Sequence, residues 1–321
     1  MVSNSMAADN AIVVEGVRKS FGAVQALRGI RFTVPAGSVL GVLGPNGAGK
    51  TTTVSVLSTL IRPDAGTARV AGYDVVTQAD RVRSSIMLTG QYAALDEMLT
   101  GRENLVLFAR LMGLRRKAAA QRADELLEQF ALTEAAERRV GQYSGGMRRR
   151  IDIACGLVRP PRVVFLDEPT TGLDPVSRQS LWALVRSLKE QGVTILLTTQ
   201  YLEEADALSD NIIVVDKGTV IAEGTADQLK ARSGDSYCEV VPVDAADVPA
   251  VAEALAGLGT VTVADSRDRV SIPAPDGAVT LSAALDRITT AGIELIDIAL
   301  RRPSLDEVFI QLTKPADEVS A

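Results

Sequence analysis

Gly44-Pro-Asn-Gly-Ala-Gly-Lys50-Thr51-Thr52 satisfies G-x-x-x-x-G-K-[ST], the pattern of a phosphate-binding loop. Ser38-Val-Leu-Gly-Val-Leu43 before it reads as a short buried strand, and residues 50–60 after it read as a helix. The chemistry needs that order, because a helix N-terminus must present unpaired N–H groups to the phosphates. Gly44, Gly47 and Gly49, with Pro45, Asn46 and Ala48 between them, let the backbone wrap an anion without side-chain obstruction. Lys50 then sets a point charge on the β/γ oxygens, Thr51 offers a hydroxyl to Mg2+, and Thr52 completes the binding set.

Working outward, Val163-Val-Phe-Leu166-Asp167-Glu168 reads as a buried strand ending in two acids. After a phosphate loop this is the Walker B arrangement: Asp167 holds Mg2+ through water, and Glu168 stands where it can polarise an attacking water. Taken alone, an apolar strand ending in acids reads equally well as a solvated sheet edge. Tyr143-Ser-Gly-Gly-Met-Arg-Arg-Arg150 suggests a second phosphate site, with a serine hydroxyl and glycine N–H groups at a helix start. Its bland reading is an N-cap serine followed by a solvated arginine face.

These motifs together resemble the nucleotide-binding domains of the ATP-binding-cassette (ABC) family over residues 10–230. Ser144, Gly145 and Gly146 match the core of that family's L-S-G-G-Q signature, while Tyr143 and Met147 depart from it. The resemblance implies ATP and Mg2+ as ligands. It also implies a head-to-tail homodimer, in which Ser144 to Met147 of one copy close over the ATP held by Lys50 of the other. Gln91 matches the glutamine that contacts Mg2+ and the attacking water, and Asp174, in Thr171-Gly-Leu-Asp174, matches the loop that lies along the dimer seam. Phe21 stands where the family places an aromatic on adenine; a strand-end phenylalanine in the core is the alternative. Gln200 occupies the place of a histidine that contacts the γ-phosphate. An amide can hydrogen-bond phosphate but cannot carry a positive charge or relay a proton, so the general-base role falls to Glu168.

Thr-Thr-Gln200-Tyr-Leu-Glu-Glu-Ala-Asp206, the Tyr143–Arg150 stretch and Arg302-Pro-Ser-Leu-Asp-Glu-Val-Phe309 narrow the resemblance to daunorubicin-resistance ATP-binding subunits. The implied role is the ATPase of a bacterial drug or polyketide exporter. It would sit peripherally on the cytoplasmic face of the membrane and work with a permease on a separate chain. Export of lipid or polysaccharide would use the same chemistry. A soluble ABC ATPase acting on ribosomes or DNA usually has two cassettes or long coiled-coil insertions, neither of which is present. A drug-binding or immunity module with a secondary ATPase stays open.

The bulk properties agree. The 321 residues carry a net charge of -6, which gives no support to nucleic-acid binding. There is no histidine, which excludes a Ser-His-Asp triad and histidine-ligated zinc. The two cysteines, Cys155 and Cys238, form no C-x-x-C and read as small buried hydrophobes in a reducing setting. No run resembles a signal peptide or a membrane span.

The expected fold class is α/β. Residues 1–10 and 313–321 are expected to be tails, and residues 11–230 a P-loop ABC-type domain with a helical insert at about 92–158. Strands are expected at 12–17 and 29–34, and helices at 117–130 and after the capping box Thr100-Gly-Arg-Glu103. Asp174-Pro175 should cap a further helix. Residues 229–236 read as a polar linker. Residues 236–312 follow as a small α+β domain of β-α-β-β-α-β, ferredoxin-like order.

Overall fold

The first strands, β1 (Asn10–Phe21) and β2 (Val24–Pro35), form an antiparallel hairpin that turns at Gly22. Ile12, Val14, Ile30 and Phe32 are buried from it while their neighbours are not, the alternation of a sheet covered on one side. β3 (Val39–Leu43) is buried throughout and runs through the phosphate loop into α1 (Lys50–Leu57). β4 (Ala65–Val70), β5 (Tyr73–Asp74) and the short α2 (Ala79–Arg83) lead to β6 (Ile86–Thr89). A helical segment follows: α3 (Gly101–Leu111), α4 (Arg116–Gln129) and α5 (Gly145–Gly156). β7 (Val163–Asp167), α6 (Pro175–Glu190), β8 (Thr194–Thr199), α7 (Leu202–Leu208) and the hairpin of β9 (Asn211–Asp216) with β10 (Thr219–Gly224) complete the unit. The computed structural model describes residues 10–89, 95–233, 236–264 and 266–313, and the chain divides into two units between Ala226 and Asp227.

Two sheets build the first unit. One is antiparallel, in the order β2-β1-β4-β5. The other has the order β10-β9-β3-β8-β7-β6 and is parallel from β9 to β6. Its two faces lead to different cores, because successive residues of a strand point to opposite sides. Val164 and Leu166 of β7 pack with Leu105, Leu126, Ile151 and Trp182 of the helices. Val163 and Phe165 pack with Val54 of α1 and with the β1–β2 hairpin. α1 is thereby fixed between the two sheets.

α8 (Ala226–Lys230) starts at the boundary, and the second unit goes on with β11 (Tyr237–Pro242), α9 (Val248–Leu255), β12 (Thr262–Val263), β13 (Val270–Pro273), α10 (Ala278–Thr290), β14 (Leu295–Arg301) and α11 (Leu305–Thr313). Its antiparallel sheet has the order β12-β13-β11-β14, and Cys238, Val240, Val251, Leu255 and Ile288 are among its core residues. The β-α-β-β-α-β succession is present.

Some boundaries differ from expectation. The first two strands run 12 residues each, because the ladder continues through Arg18, Lys19 and Ser20 beyond the apolar residues that mark it in sequence. Part of the expected linker is helical: α8 buries Leu229 completely, so one apolar anchor overrides a polar surrounding.

Tyr143 is buried, and its hydroxyl donates to the Ala135 carbonyl at 2.7 Å. Gly101, the first residue of α3, makes room for it; a Cβ there would run into the Tyr143 hydroxyl oxygen. Gly101→Ala is therefore expected to lower stability by about 1–3 kcal/mol in urea unfolding. In a Tyr143→Phe background the cost should shrink, since the clashing atom is gone. Equal costs in both backgrounds would show that the close approach is not the cause.

Candidate nucleotide site

Because β3, β8 and β7 are parallel neighbours, their C-terminal ends lie at one end of the sheet. Leu43 pairs with Thr199, and Asp167 with Thr198. Ligands of open parallel sheets bind at that end. Gly44, Asp167, Glu168 and Gln200 all follow or close these strands.

Two glycines shape the loop. A Cβ on Gly44 would strike the Val215 carbonyl oxygen. Gly49 caps α1 in the left-handed region, with φ 109°, and a Cβ there would approach the Ala26 carbonyl oxygen at 2.8 Å. The loop borders a cavity of about 230 Å³ lined by Asn46, Gly47, Lys50, Thr51, Thr52 and Glu168, among others. That cradle of main chain suits an anion.

Lys50 is only 4% exposed. Its ammonium donates to the carbonyls of Gly44 at 2.7 Å and Pro45 at 3.2 Å, and pairs with Glu168 Oε1 at 3.2 Å. Asp167 is equally buried at 4%; its Oδ1 accepts from Thr198 Oγ1 at 2.5 Å and from Thr51 Oγ1 at 3.3 Å. Thr51 and Asp167 thus bring a hydroxyl and a carboxylate together, hard oxygen donors of the kind Mg2+ takes alongside phosphates and water. Glu168 has φ 46°, left-handed for a residue that disfavours it. Its N–H is held by the carbonyl of Thr198 at 3.1 Å and by that residue's hydroxyl at 3.0 Å.

The remaining expected residues are spread wider. Ser144 caps α5, accepting from the Met147 N–H at 3.3 Å, and lies exposed with Gly145. The Met147 side chain packs against the helical core. None of Ser144 to Met147 borders the Lys50 cavity. Asp174 caps α6, accepting from the Ser177 hydroxyl at 2.6 Å and from its N–H at 2.9 Å. These bonds, the hydroxyl's first, hold its carboxyl below the usual range. Phe21 is 52% exposed under the Lys19 ammonium, 5.6 Å from the ring centre, so the core alternative does not hold. It does not border the cavity either, where Ala26 stands instead. Gln200 is half-buried just past β8. Gln91 lies outside the described residues.

Three residues that the sequence did not single out join these parts. Thr198 is one. Arg149, within the arginine run that suggested a solvated face, is turned inward. Its Nε donates to the Pro169 carbonyl at 3.1 Å, and a terminal nitrogen donates to the Thr89 hydroxyl at 3.2 Å. Glu204 on α7 is fully buried and accepts from Trp182 Nε1 at 3.3 Å. Among the described residues its second oxygen meets no donor in good hydrogen-bond geometry. Nothing in the local pattern marks these positions.

Residues 27–171 match the ABC transporter family, and residues 224–313 match the C-terminal domain of DrrA1-3-like ATP-binding proteins. Across 316 residues, 97% of this chain and 96% of the relative, the sequence is 59% identical to the doxorubicin resistance ATP-binding protein DrrA of Mycobacterium tuberculosis. The chain belongs to the ABC transporter ATP-binding family. Another relative in this family is the daunorubicin resistance protein DrrA3 of Streptomyces coeruleorubidus, 56% identical over 95% of this chain and 96% of that one. The structure resembles CbiO1 of Clostridium perfringens, part of the CbiONQ transporter complex, with TM-score 0.65 and 26% identity over 70% of this chain and 91% of that one. It also resembles a dimeric ATP-binding cassette with ADP and phosphate bound, with TM-score 0.61 and 25% identity over 67% of this chain and 98% of that one. As an ABC ATPase the protein binds and hydrolyses ATP. No helix among its described residues is long and apolar enough to cross a membrane.

Burial raises the Glu204 pKa; the hydroxyls of Thr199 and Thr170, the Trp182 N–H and the Arg178 charge oppose the rise. A carboxyl whose folded pKa exceeds its unfolded one keeps full stability below the unfolded value. It loses stability as pH climbs through the folded one. Glu204→Gln, which cannot ionise, should therefore gain Tm relative to wild type as pH rises from about 4 toward neutrality. Thermal melts across that range check this, and a difference independent of pH would contradict it.

Proposed function

We propose that the chain energises a bacterial exporter of drug-like or polyketide-like compounds. It would act as a homodimer on a permease carried by a separate chain, at the cytoplasmic face of the membrane. The drug class rests on the names of the relatives that match nearly the whole chain. The chemistry rests on one observation: the Lys50 ammonium, the Thr51–Asp167 pair and the Glu168 carboxylate converge at a main-chain cradle.

In this reading Lys50 exchanges its Glu168 partner for the β/γ-phosphate oxygens of ATP. A γ-phosphate at that ammonium lies close to the Glu168 carboxylate, which orients a water and takes its proton during attack. Thr51 and Asp167, with Gln91, would hold Mg2+, which would neutralise charge on the phosphates. Gln200 hydrogen-bonds the γ-phosphate without relaying a proton. Phe21 flanks the adenine. Ser144, Gly145, Gly146 and Met147 of a second copy complete the site, with Asp174 along the seam. The exposure of Ser144, Gly145 and Asp174, away from the cavity of their own chain, supports this division.

Glu168→Gln should bind ATP normally and lose about 10²–10⁴-fold in turnover. Near-wild-type turnover would remove the base assignment. Specific activity should rise with chain concentration as dimers form. In membranes containing the co-purified permease, doxorubicin should stimulate ATP turnover; stimulation by lipid or oligosaccharide alone would replace the drug reading.

A further inference from the structure

We infer that the Thr198 hydroxyl is a positioning group for both acids of the site, setting the rotamer of Asp167 and the backbone of Glu168. The inference rests on the roles proposed above for those two residues.

A threonine hydroxyl has one proton to give and two lone pairs. Here the proton goes to Asp167 Oδ1 at 2.5 Å, and a lone pair accepts the Glu168 N–H at 3.0 Å. Thr198 has no exposed surface, so water cannot replace either bond. The position is set by sheet order: β8 lies between β3 and β7, and the register puts Thr198 opposite Asp167.

The two bonds do different things. Among the described residues, the hydrogen bonds to Asp167 fall on Oδ1, from Thr198 and Thr51. That pins the carboxylate and leaves Oδ2 for a cation or its water. The bond from Glu168 N–H adds to the one that N–H makes with the Thr198 carbonyl at 3.1 Å. Together they fix a residue at φ 46°, a conformation that must be held from outside. One side chain thereby ties the direction of the metal-binding carboxylate to that of the base.

Valine fills nearly the same volume and suits a central strand, so Thr198→Val removes the hydroxyl alone. The expected result is a kcat about 10–100-fold lower, with KM for ATP within about threefold. Mn2+ affinity, read by electron paramagnetic resonance on the full chain saturated with a non-hydrolysable ATP analogue, should weaken about tenfold or more. The Tm of the nucleotide-free chain should stay within a few degrees, and Thr198→Ser should restore kcat and Mn2+ affinity. If Thr198→Val does not fold, Thr198→Ala and Thr198→Ser, which both lack the methyl group, give the same comparison. Turnover within twofold of wild type with unchanged Mn2+ affinity would overturn the inference. So would a raised KM with kcat intact, or a serine variant no better than alanine. An active Glu168→Gln would instead show that the base assignment fails. An inactive Glu168→Gln beside a normal Thr198→Val defeats the positioning role alone.

Discussion

The buried ammonium of Lys50 sets the terms for the site. A cation taken out of water is costly by several kcal/mol unless its protons are met. Here the carbonyls of Gly44 and Pro45 and the carboxylate of Glu168 meet them. These acceptors belong to segments that leave two strands of one parallel sheet, with a third strand between them. The register of that sheet is therefore also the geometry of the site. A one-residue slip would send every side chain of the slipped strand to the opposite core and separate Lys50 from its partner. Packing Val163 and Phe165 on one face and Val164 and Leu166 on the other holds the register from both sides.

The parts legible in the sequence were those whose chemistry is written in adjacent residues. The phosphate loop, the acid pair and the capped starts of α3, α5 and α6 depend on spacing along one segment. What stayed hidden came from pairing across the chain. Thr198 meets Asp167 only because β7 and β8 lie side by side, and Glu204 meets Trp182 only because α7 packs on α6. Arg149 is one of three consecutive arginines, and sequence alone gives no sign that it is the one turned inward. α8 is concealed for the opposite reason: five residues with one buried leucine have no period to detect.

Tyr143 shows how a departure from a family pattern can be absorbed locally. The larger side chain is housed by a glycine far along the chain and satisfied by one carbonyl, so the helix that follows still presents Ser144 outward. Arg149, further along that helix, bonds Thr89 at the end of β6 and Pro169 just past the neighbouring β7. The surface serine and the Walker B loop are thus attached to one helix, the serine at its N-terminus and the loop through Arg149.

The backbone of Glu168 carries a further consequence. A non-glycine residue in the left-handed region gives up about 1–2 kcal/mol that glycine would not. The ion pair with Lys50 offsets that strain, because without the carboxylate the buried ammonium keeps only its two carbonyl acceptors. Glycine at 168 would relax the backbone and remove the counter-charge in one step. The strained residue therefore also acts as a placeholder: it holds the cradle's cation in place until phosphate oxygens arrive to take over that role.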